Sequence, residues 1–185
     1  MPGPPTNGVD EELPDLVLPV EARDHCRGRP GARYSLVEYG DYESRRCAEV
    51  RTIVGELERE LRDDLCFAFR NFPPSGTHPH AMRAAEVAEA ADLQAKFWLM
   101  HERLFEHQDE LSDELYRRLA RELPLEMDTF ERDLASGAPA RRIAEDLESG
   151  REAGVAEAPT LFVNGRMHVG SYELLPLLDA LRRTP

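Results

Sequence analysis

The chain has 185 residues and lacks several features that would define its class at once. It contains three cysteines, one lysine (Lys96), and no apolar run approaching the roughly 20 residues that cross a bilayer. The cysteines show no metal-binding spacing, and their odd number does not suit a disulfide framework. The sequence therefore argues against a disulfide-stabilised miniprotein, a metal module and a helical membrane protein.

Positive charge is also scarce. The 36 acidic residues outnumber the 23 Lys and Arg residues, which gives a formal net charge of −13. Nucleic acids and anionic lipid surfaces repel such a chain, so neither nucleic acid nor membrane is expected as a partner. Arg-Arg occurs at 45–46 and again at 117–118, 141–142 and 182–183, so the first pair alone does not indicate a site.

The N-terminal segment carries no basic stretch followed by an apolar one, so no secretory signal is visible. Residues 1–19 include many Pro, Gly and acidic residues, and we predict a disordered leader there. If Met1 is the native start, the protein is expected in the cytoplasm, where thiols stay reduced.

Hydrophobic periodicity predicts an α/β plan. Residues 33–39 and 65–69 have the composition of buried strands, and residues 45–61 between them have apolar side chains at helical spacing. This is a βαβ unit, so the two strands should be parallel. Near the end, Thr160 to Val163 predicts a strand, Asn164-Gly165 a tight turn, and residues 166–169 its partner strand.

Five helices are predicted between these parts, and one follows them. Residues suited to a helix start mark several of the boundaries: Pro79, Ser112, Asp128, Pro139 and, for the last helix, Ser171. The two halves of one sheet are therefore separated by an all-helical insertion over residues 77–152.

The most informative segment is Leu36 to Cys47, LVEYGDYESRRC. A strand runs into Ser44-Arg45-Arg46-Cys47 at the threshold of a helix, which has the shape of a CxxC redox motif with serine in first place. A hydroxyl can neither form nor leave a disulfide. Dithiol oxidation or reduction within this motif should therefore be lost.

Several segments in order resemble the bacterial DsbA-like thiol-disulfide oxidoreductases. Besides 36–47, they are FAFRNFP at 67–73, HPHAMRAAEVAEAA at 78–91, KFWLMHERLF at 96–105 and APTLFVNG at 158–165. The resemblance implies a thioredoxin-like fold, β-α-β followed by β-hairpin-α, with residues 20–76 and 153–185 forming that domain around the helical insertion.

The same resemblance assigns roles to residues. Ser44 takes the place of the attacking cysteine, Cys47 that of the resolving cysteine, and Glu38 that of a buried acid that relays protons. A further set is expected to bind substrate, with the last three forming a cis-proline loop that faces the motif: Arg45, Arg46, Ala158, Pro159 and Thr160.

Opposing effects act on Cys47. The helix N-terminus favours its thiolate, and inward-pointing arginines would add to that. Burial behind Ser44 and a charged Glu38 would instead raise the pKa of Cys47, and we favour this inert reading. Ser44 itself suits the N-cap of a helix, and no histidine is placed by sequence as its base.

Three functional hypotheses remain open. The first is monothiol chemistry, in which Cys47 forms mixed disulfides with glutathione or another low-molecular-weight thiol as co-substrate, or with protein or peptide thiols. The second is a non-redox module that binds peptides or a partner protein. The third is a glutathione-dependent transferase or isomerase using Ser44, as in the kappa-class glutathione transferases, which resemble this design.

The remaining candidates carry weaker signals. No metal site is predicted, since His78 and His80 lack a third ligand of suitable spacing and are expected to cap or pack at a helix start. Cys26 is placed in a polar loop and Cys66 in an apolar strand. Pairing of these two thiols with each other, or with Cys47, is left open.

Overall fold

The structure is a computed structural model that describes residues 14–16, 18–74 and 76–183. Its strands are β1 (His25–Arg27), β2 (Tyr34–Gly40), β3 (Leu65–Asn71), β4 (Thr160–Val163) and β5 (Arg166–Met167). Its α-helices are α1 (Arg45–Leu61), α2 (Ala81–Asp92), α3 (Phe97–Glu106), α4 (Asp113–Glu122), α5 (Met127–Ala135), α6 (Ala138–Glu152) and α7 (Leu174–Arg183). Short 3₁₀ turns follow α1 at Arg62–Asp64 and α3 at Gln108–Glu110.

The strands form one mixed sheet in the order β1-β3-β2-β4-β5. β2 and β3 pair in parallel, as the βαβ pattern predicts, while β1, β4 and β5 are antiparallel to their neighbours. The predicted order β-α-β, helices, β-hairpin-α is thus confirmed. The predicted order lacked only β1, because a strand of three residues is too short to show alternating apolar and polar side chains.

Side chains alternate between the two faces of the sheet, which separates two cores. Leu36 and Phe67 point toward α1, α7 and the insertion, together with Cys47. Val37 and Ala68 point to the opposite face, where Ala153 and Val155 cover them beyond the end of α6. Groups on the two faces are therefore kept apart by the sheet.

The local signals for turns and helix starts are mostly correct. The Asn164-Gly165 turn has φ values of 48° and 85°, as a type I′ hairpin requires. Ser112 caps α4, with its hydroxyl accepting the Leu115 N–H at 3.3 Å. Pro139 lies in the first turn of α6, where an N–H is not needed.

Three predicted helix starts are displaced. α2 begins at Ala81, two residues after Pro79. α5 begins at Met127, so Asp128 lies inside the first turn and does not cap it. The last helix begins at Leu174, and the Ser171 hydroxyl instead accepts the Glu173 N–H at 3.2 Å in the preceding loop.

The predicted leader is described only near its end. Residues 1–13 and 17 lie outside the described part. Asp15 bridges Arg166 of β5, and the Leu16 N–H donates to the Gly165 carbonyl at 2.7 Å. Among the described residues, no helix is both long enough and apolar enough to cross a bilayer.

Candidate functional site

The start of α1 and the loop before β4 meet at Ser44. Its hydroxyl accepts the Cys47 N–H at 3.4 Å, which caps the helix, and lies 3.5 Å from the Ala158 carbonyl oxygen. The Ala158–Pro159 peptide bond is cis, and this loop faces the motif. The Gln108 side chain fixes the approach to α1, since its amide donates to the carbonyls of Tyr42 (2.7 Å) and Ser44 (2.8 Å).

Cys47 lies behind Ser44 with none of its surface exposed. Its sulfur accepts the Asp41 N–H at 3.4 Å. Burial raises the pKa of Cys47 well above the ordinary thiol value, and the nearby Glu38 carboxyl raises it further. The hydrogen bonds from Ser44 and the Asp41 N–H act in the opposite direction but are outweighed. The thiol is therefore protonated at neutral pH.

Glu38 is on β2, on the face toward α1, and is 2% exposed. Burial raises the pKa of Glu38 to about 8, although a hydrogen bond with Cys47 lowers it. Among the described residues its Oε1 has no hydrogen-bond partner. A buried carboxyl with a free acceptor is expected to be neutral near pH 7. The structure thus places Glu38 beside Cys47, while its role in relaying protons stays a prediction.

The arginines of the motif do not face the thiol. Arg45 and Arg46 are exposed, and their guanidinium groups lie 3.6 Å from Asp109 and 3.7 Å from Glu157 respectively. They therefore do not point inward, as they would have to in order to favour the Cys47 thiolate. They remain available at the rim of the site.

The predicted cis-proline loop is largely occupied by its own hydrogen bonds. The Thr160 hydroxyl donates to the Glu157 carbonyl at 2.6 Å, and the Tyr172 hydroxyl donates to the Pro159 carbonyl at 3.4 Å. Ala158 is half-buried and lines a cavity. The cavity beside Ala158, rather than the Thr160 hydroxyl, is therefore the open surface of this loop.

Sequence reasoning missed Asp41 as part of this site. Its buried carboxylate hydrogen-bonds Nδ1 of His78 across the start of the insertion, while its backbone N–H reaches Cys47. Burial raises the pKa of Asp41, and the hydrogen bonds from Glu43 and His78 oppose this. Its position directly after a buried strand, three residues before Ser44, was the available signal. His78 is therefore a site residue and not a helix cap.

Two cavities flank the Ser44 region. One of about 530 Å³ is lined by Asp41, His78 and Ala158 together with Phe72 and Glu157. The other, about 570 Å³, lies between α1 and the loop before α7, with Arg46, Val50, Ile53, Ser171 and Tyr172 in its wall. Both are large enough to take side chains of a bound segment.

One buried cluster has the composition of a metal site. His25, Glu89 and Asp92 bring one ligand-type atom each within 4.8 Å of one another. The His25 ring nitrogens, however, lie 2.8 Å from Glu89 and 3.4 Å from Asp92. These two ion pairs account for the cluster with a protonated imidazole and no metal.

The comparisons with known proteins agree with this architecture. A thioredoxin family profile matches residues 21–179. The oxidised BdbD of Bacillus subtilis superposes with a TM-score of 0.79 at 20% identity, covering 93% of this chain and 95% of that one. The α-DsbA2 of Wolbachia pipientis superposes with a TM-score of 0.78 at 20% identity, covering 89% of each chain. The chain therefore belongs to the thioredoxin family and has the DsbA-like form of its fold.

The curated relatives are much longer. The Na⁺/H⁺ antiporter NhaA 1 of Salinispora arenicola is 41% identical over 175 residues, which are 94% of this chain and 27% of the antiporter. The NhaA antiporter of Herminiimonas arsenicoxydans is 37% identical over 181 residues, 94% of this chain and 29% of that one. The chain thus spans only a little over a quarter of these relatives.

Proposed function

We propose that this thioredoxin-family domain is a non-redox module that holds a polypeptide segment at the Ser44 surface without exchanging a disulfide with it. The proposal rests on the relative burial of Ser44 and Cys47 at the start of α1. Ser44 retains 7% exposure beside the cis-proline loop, and the only thiol of the motif lies behind it with none.

The contact surface supports this function. A cavity of about 530 Å³ includes Ala158 in its wall and one of about 570 Å³ includes Arg46 of the motif, and both walls mix apolar and charged groups. Extended segments bind such surfaces through main-chain hydrogen bonds and place side chains in neighbouring pockets. Arg45 and Arg46 add exposed cations at the rim, which favour a segment with acidic groups.

The monothiol hypothesis loses support from the same geometry. It required an exposed Cys47 with a lowered pKa, whereas Cys47 is fully buried and its pKa is raised. A protonated, enclosed thiol neither attacks a disulfide nor reaches glutathione at a useful rate.

The glutathione-dependent reaction at Ser44 stays as a second candidate. The Ser44 hydroxyl lies at the positive end of α1 and beside Arg45, where a thiolate brought by glutathione would be stabilised. This reaction predicts glutathione-dependent turnover that is lost in Ser44→Ala and kept in Cys47→Ala. That result would favour the glutathione-dependent enzyme over the binding module.

The first partner to test comes from the curated relatives. They are named as Na⁺/H⁺ antiporters and match this chain over about a quarter of their length, 27% in the Salinispora protein. We propose that the bound segment belongs to such an antiporter.

We also propose that the protein works in a reducing compartment, which is consistent with the free state of Cys26, Cys47 and Cys66.

Binding is tested with fluorescent peptides tiled over the Salinispora arenicola antiporter, using scrambled peptides as controls. We expect at least one peptide to bind the wild type and Cys47→Ala equally. Binding should be lost in Ser171→Trp, which fills a flanking cavity, and kept in Ser136→Trp, a matched change at an exposed serine far along the insertion. Equal binding by Ser171→Trp, or none by the wild type, would contradict the proposal.

The state of Cys47 is measured separately by its alkylation rate against pH, with peptide mass spectrometry to resolve Cys26 and Cys66. We expect no modification of Cys47 until the protein unfolds, because burial keeps the thiol protonated and enclosed. Rapid alkylation with a midpoint below the roughly 8.5 of a free thiol would instead revive the monothiol function.

A further inference from the structure

A second pair of thiols lies on the face of the sheet opposite Cys47. Cys26 is in β1 opposite Ala68, and Cys66 is two residues before Ala68 on β3, so both cysteines point to the same face. The two thiols are close enough for each to shift the pKa of the other. Cys47 packs with the other core, beyond the sheet, so it cannot join this pair.

We infer that Cys26 and Cys66 form a redox-active dithiol that a hydroperoxide converts to a reversible disulfide. This site is independent of the Ser44 surface, since the sheet lies between them. Strand register places Cys26 and Cys66 on one face of the sheet and therefore favours their pairing with each other over pairing with Cys47.

The local backbone brings the two strands close at this point. Gly28 follows β1 with φ +85°, and a Cβ there would lie 2.0 Å from the Leu65 carbonyl oxygen and 3.4 Å from the Cys66 Cα. Diagonal neighbours on antiparallel strands have Cα separations of about 7–8 Å, slightly beyond the usual disulfide range. β1 is an edge strand of three residues, so it can make the small shift that a bond needs.

The two thiols differ in character, as attack and resolution require. The interaction with Cys26 lowers the pKa of Cys66, while burial and the neighbouring Asp24 act to raise it. The same interaction raises the pKa of Cys26 above its ordinary value, and Arg70 opposes this shift. We therefore assign attack to Cys66, which lines the cavity, and resolution to Cys26.

The two thiols also differ in their exposure to solvent. Cys26 is partly exposed at the sheet edge. Cys66 is 2% exposed but lines a cavity of about 370 Å³ between the sheet and residues that include Leu16, Pro19 and Val20. A small hydroperoxide fits this space, whereas a folded disulfide protein does not.

The chemistry balances in two steps. The Cys66 thiolate attacks the peroxide O–O bond, giving a sulfenic acid and hydroxide, which takes up a proton to become water when hydrogen peroxide is the oxidant. Cys26, on losing its proton, attacks the Cys66 sulfur, and the sulfenic hydroxyl leaves with that proton as a second water. Two thiols and one hydrogen peroxide thus give one disulfide and two waters.

The test treats the full chain with hydrogen peroxide, blocks remaining thiols by alkylation and maps the peptides by mass spectrometry. We expect a Cys26–Cys66 linked peptide, with the protein lighter by two hydrogens, that dithiothreitol fully reverses. Cys26→Ser should abolish the link and leave Cys66 as a sulfenic acid that dimedone traps. Cys47→Ser should leave the link unchanged.

Two results would overturn the inference. One is separate over-oxidation of Cys26 and Cys66 in the wild type without a linked peptide. The other is a linked peptide that contains Cys47. Both are read in the wild-type chain, so they do not depend on any variant folding correctly.

Discussion

At the scale of single residues, the proposed function depends on one atom, the Ser44 oxygen in the place that the DsbA-like resemblance gives to a cysteine sulfur. Ser44 caps α1 and contacts Ala158, and Cys47 is buried behind it. Glu38 lies beside the thiol. The buried Cys47–Glu38 pair can therefore bind protons, whereas Ser44 offers a hydroxyl where disulfide exchange would need a thiol.

Glu38 should make the protein less stable as pH rises. Its folded pKa of about 8 exceeds the unfolded value of 4.5, because burial favours the neutral acid. The contribution of Glu38 to stability is therefore fully present below about pH 4.5 and is lost as pH rises through 8, by up to a few kcal/mol. In urea unfolding, Glu38→Gln should make the free energy of unfolding less dependent on pH between about 4.5 and about 8.

The control for that experiment is Glu49→Gln, a change at an exposed position on α1. We expect its stability to follow the wild-type pH curve. A Glu38→Gln variant with the wild-type slope between about pH 5 and about pH 8 would show that the Glu38 carboxyl is not held neutral.

At the scale of elements, local residue chemistry placed turns and caps well where the side chain acts on its own backbone. Asn164 and Gly165 adopt the positive φ values that their turn needs, and Ser112 caps α4. Asp146 shows where such reasoning fails. An acidic residue among charged neighbours on a helix predicts a solvated face, yet Asp146 is 2% exposed and accepts the Asn71 N–H at 2.9 Å.

Removing the Ser112 cap should weaken α4 measurably. Its hydroxyl accepts the Leu115 N–H, and losing a serine N-cap costs about 1 kcal/mol of unfolding free energy. Ser112→Ala should therefore lower the urea midpoint, while Ser112→Asp, which keeps an acceptor at the helix start, should restore it. Equal midpoints for all three proteins would show that the cap contributes nothing.

At the scale of the whole molecule, a buried ion cluster connects the edge of the sheet to the helical insertion. His25 of β1 contacts Glu89 and Asp92 of α2, and its ring stacks on Phe97 with 3.5 Å between centroids. Glu89 also accepts from the Asn71 side chain at 2.6 Å, so one carboxylate joins two strands and a helix. The insertion is thus fastened to the sheet through charge as well as packing.

His25 should make the connection between sheet and insertion dependent on pH. Burial alone would lower the pKa of His25, but the hydrogen bonds to Asp92 and Glu89 outweigh it and raise the pKa to about 9. Its contribution is fully present below the unfolded value of 6.5 and is lost as pH rises through 9, again by up to a few kcal/mol.

Urea unfolding of His25→Gln against the wild type measures this effect, with EDTA present in all samples. The variant should be less stable at about pH 6, and the difference should shrink toward about pH 10. A constant difference at all pH values would mean that His25 acts through packing against Phe97 and not through its charge.

The sequence alone determined the order of elements and the hairpin turn, and it excludes a disulfide between positions 44 and 47, because each follows from residues adjacent in the chain. A serine cannot form a disulfide in any fold, and Asn-Gly favours its turn through its own backbone. The tertiary structure decided the rest. The burial of Cys47, the pairing of Asp41 with His78 and the placement of Cys26 and Cys66 on one face of the sheet depend on strand register and on covering elements far away in sequence, which local patterns do not encode.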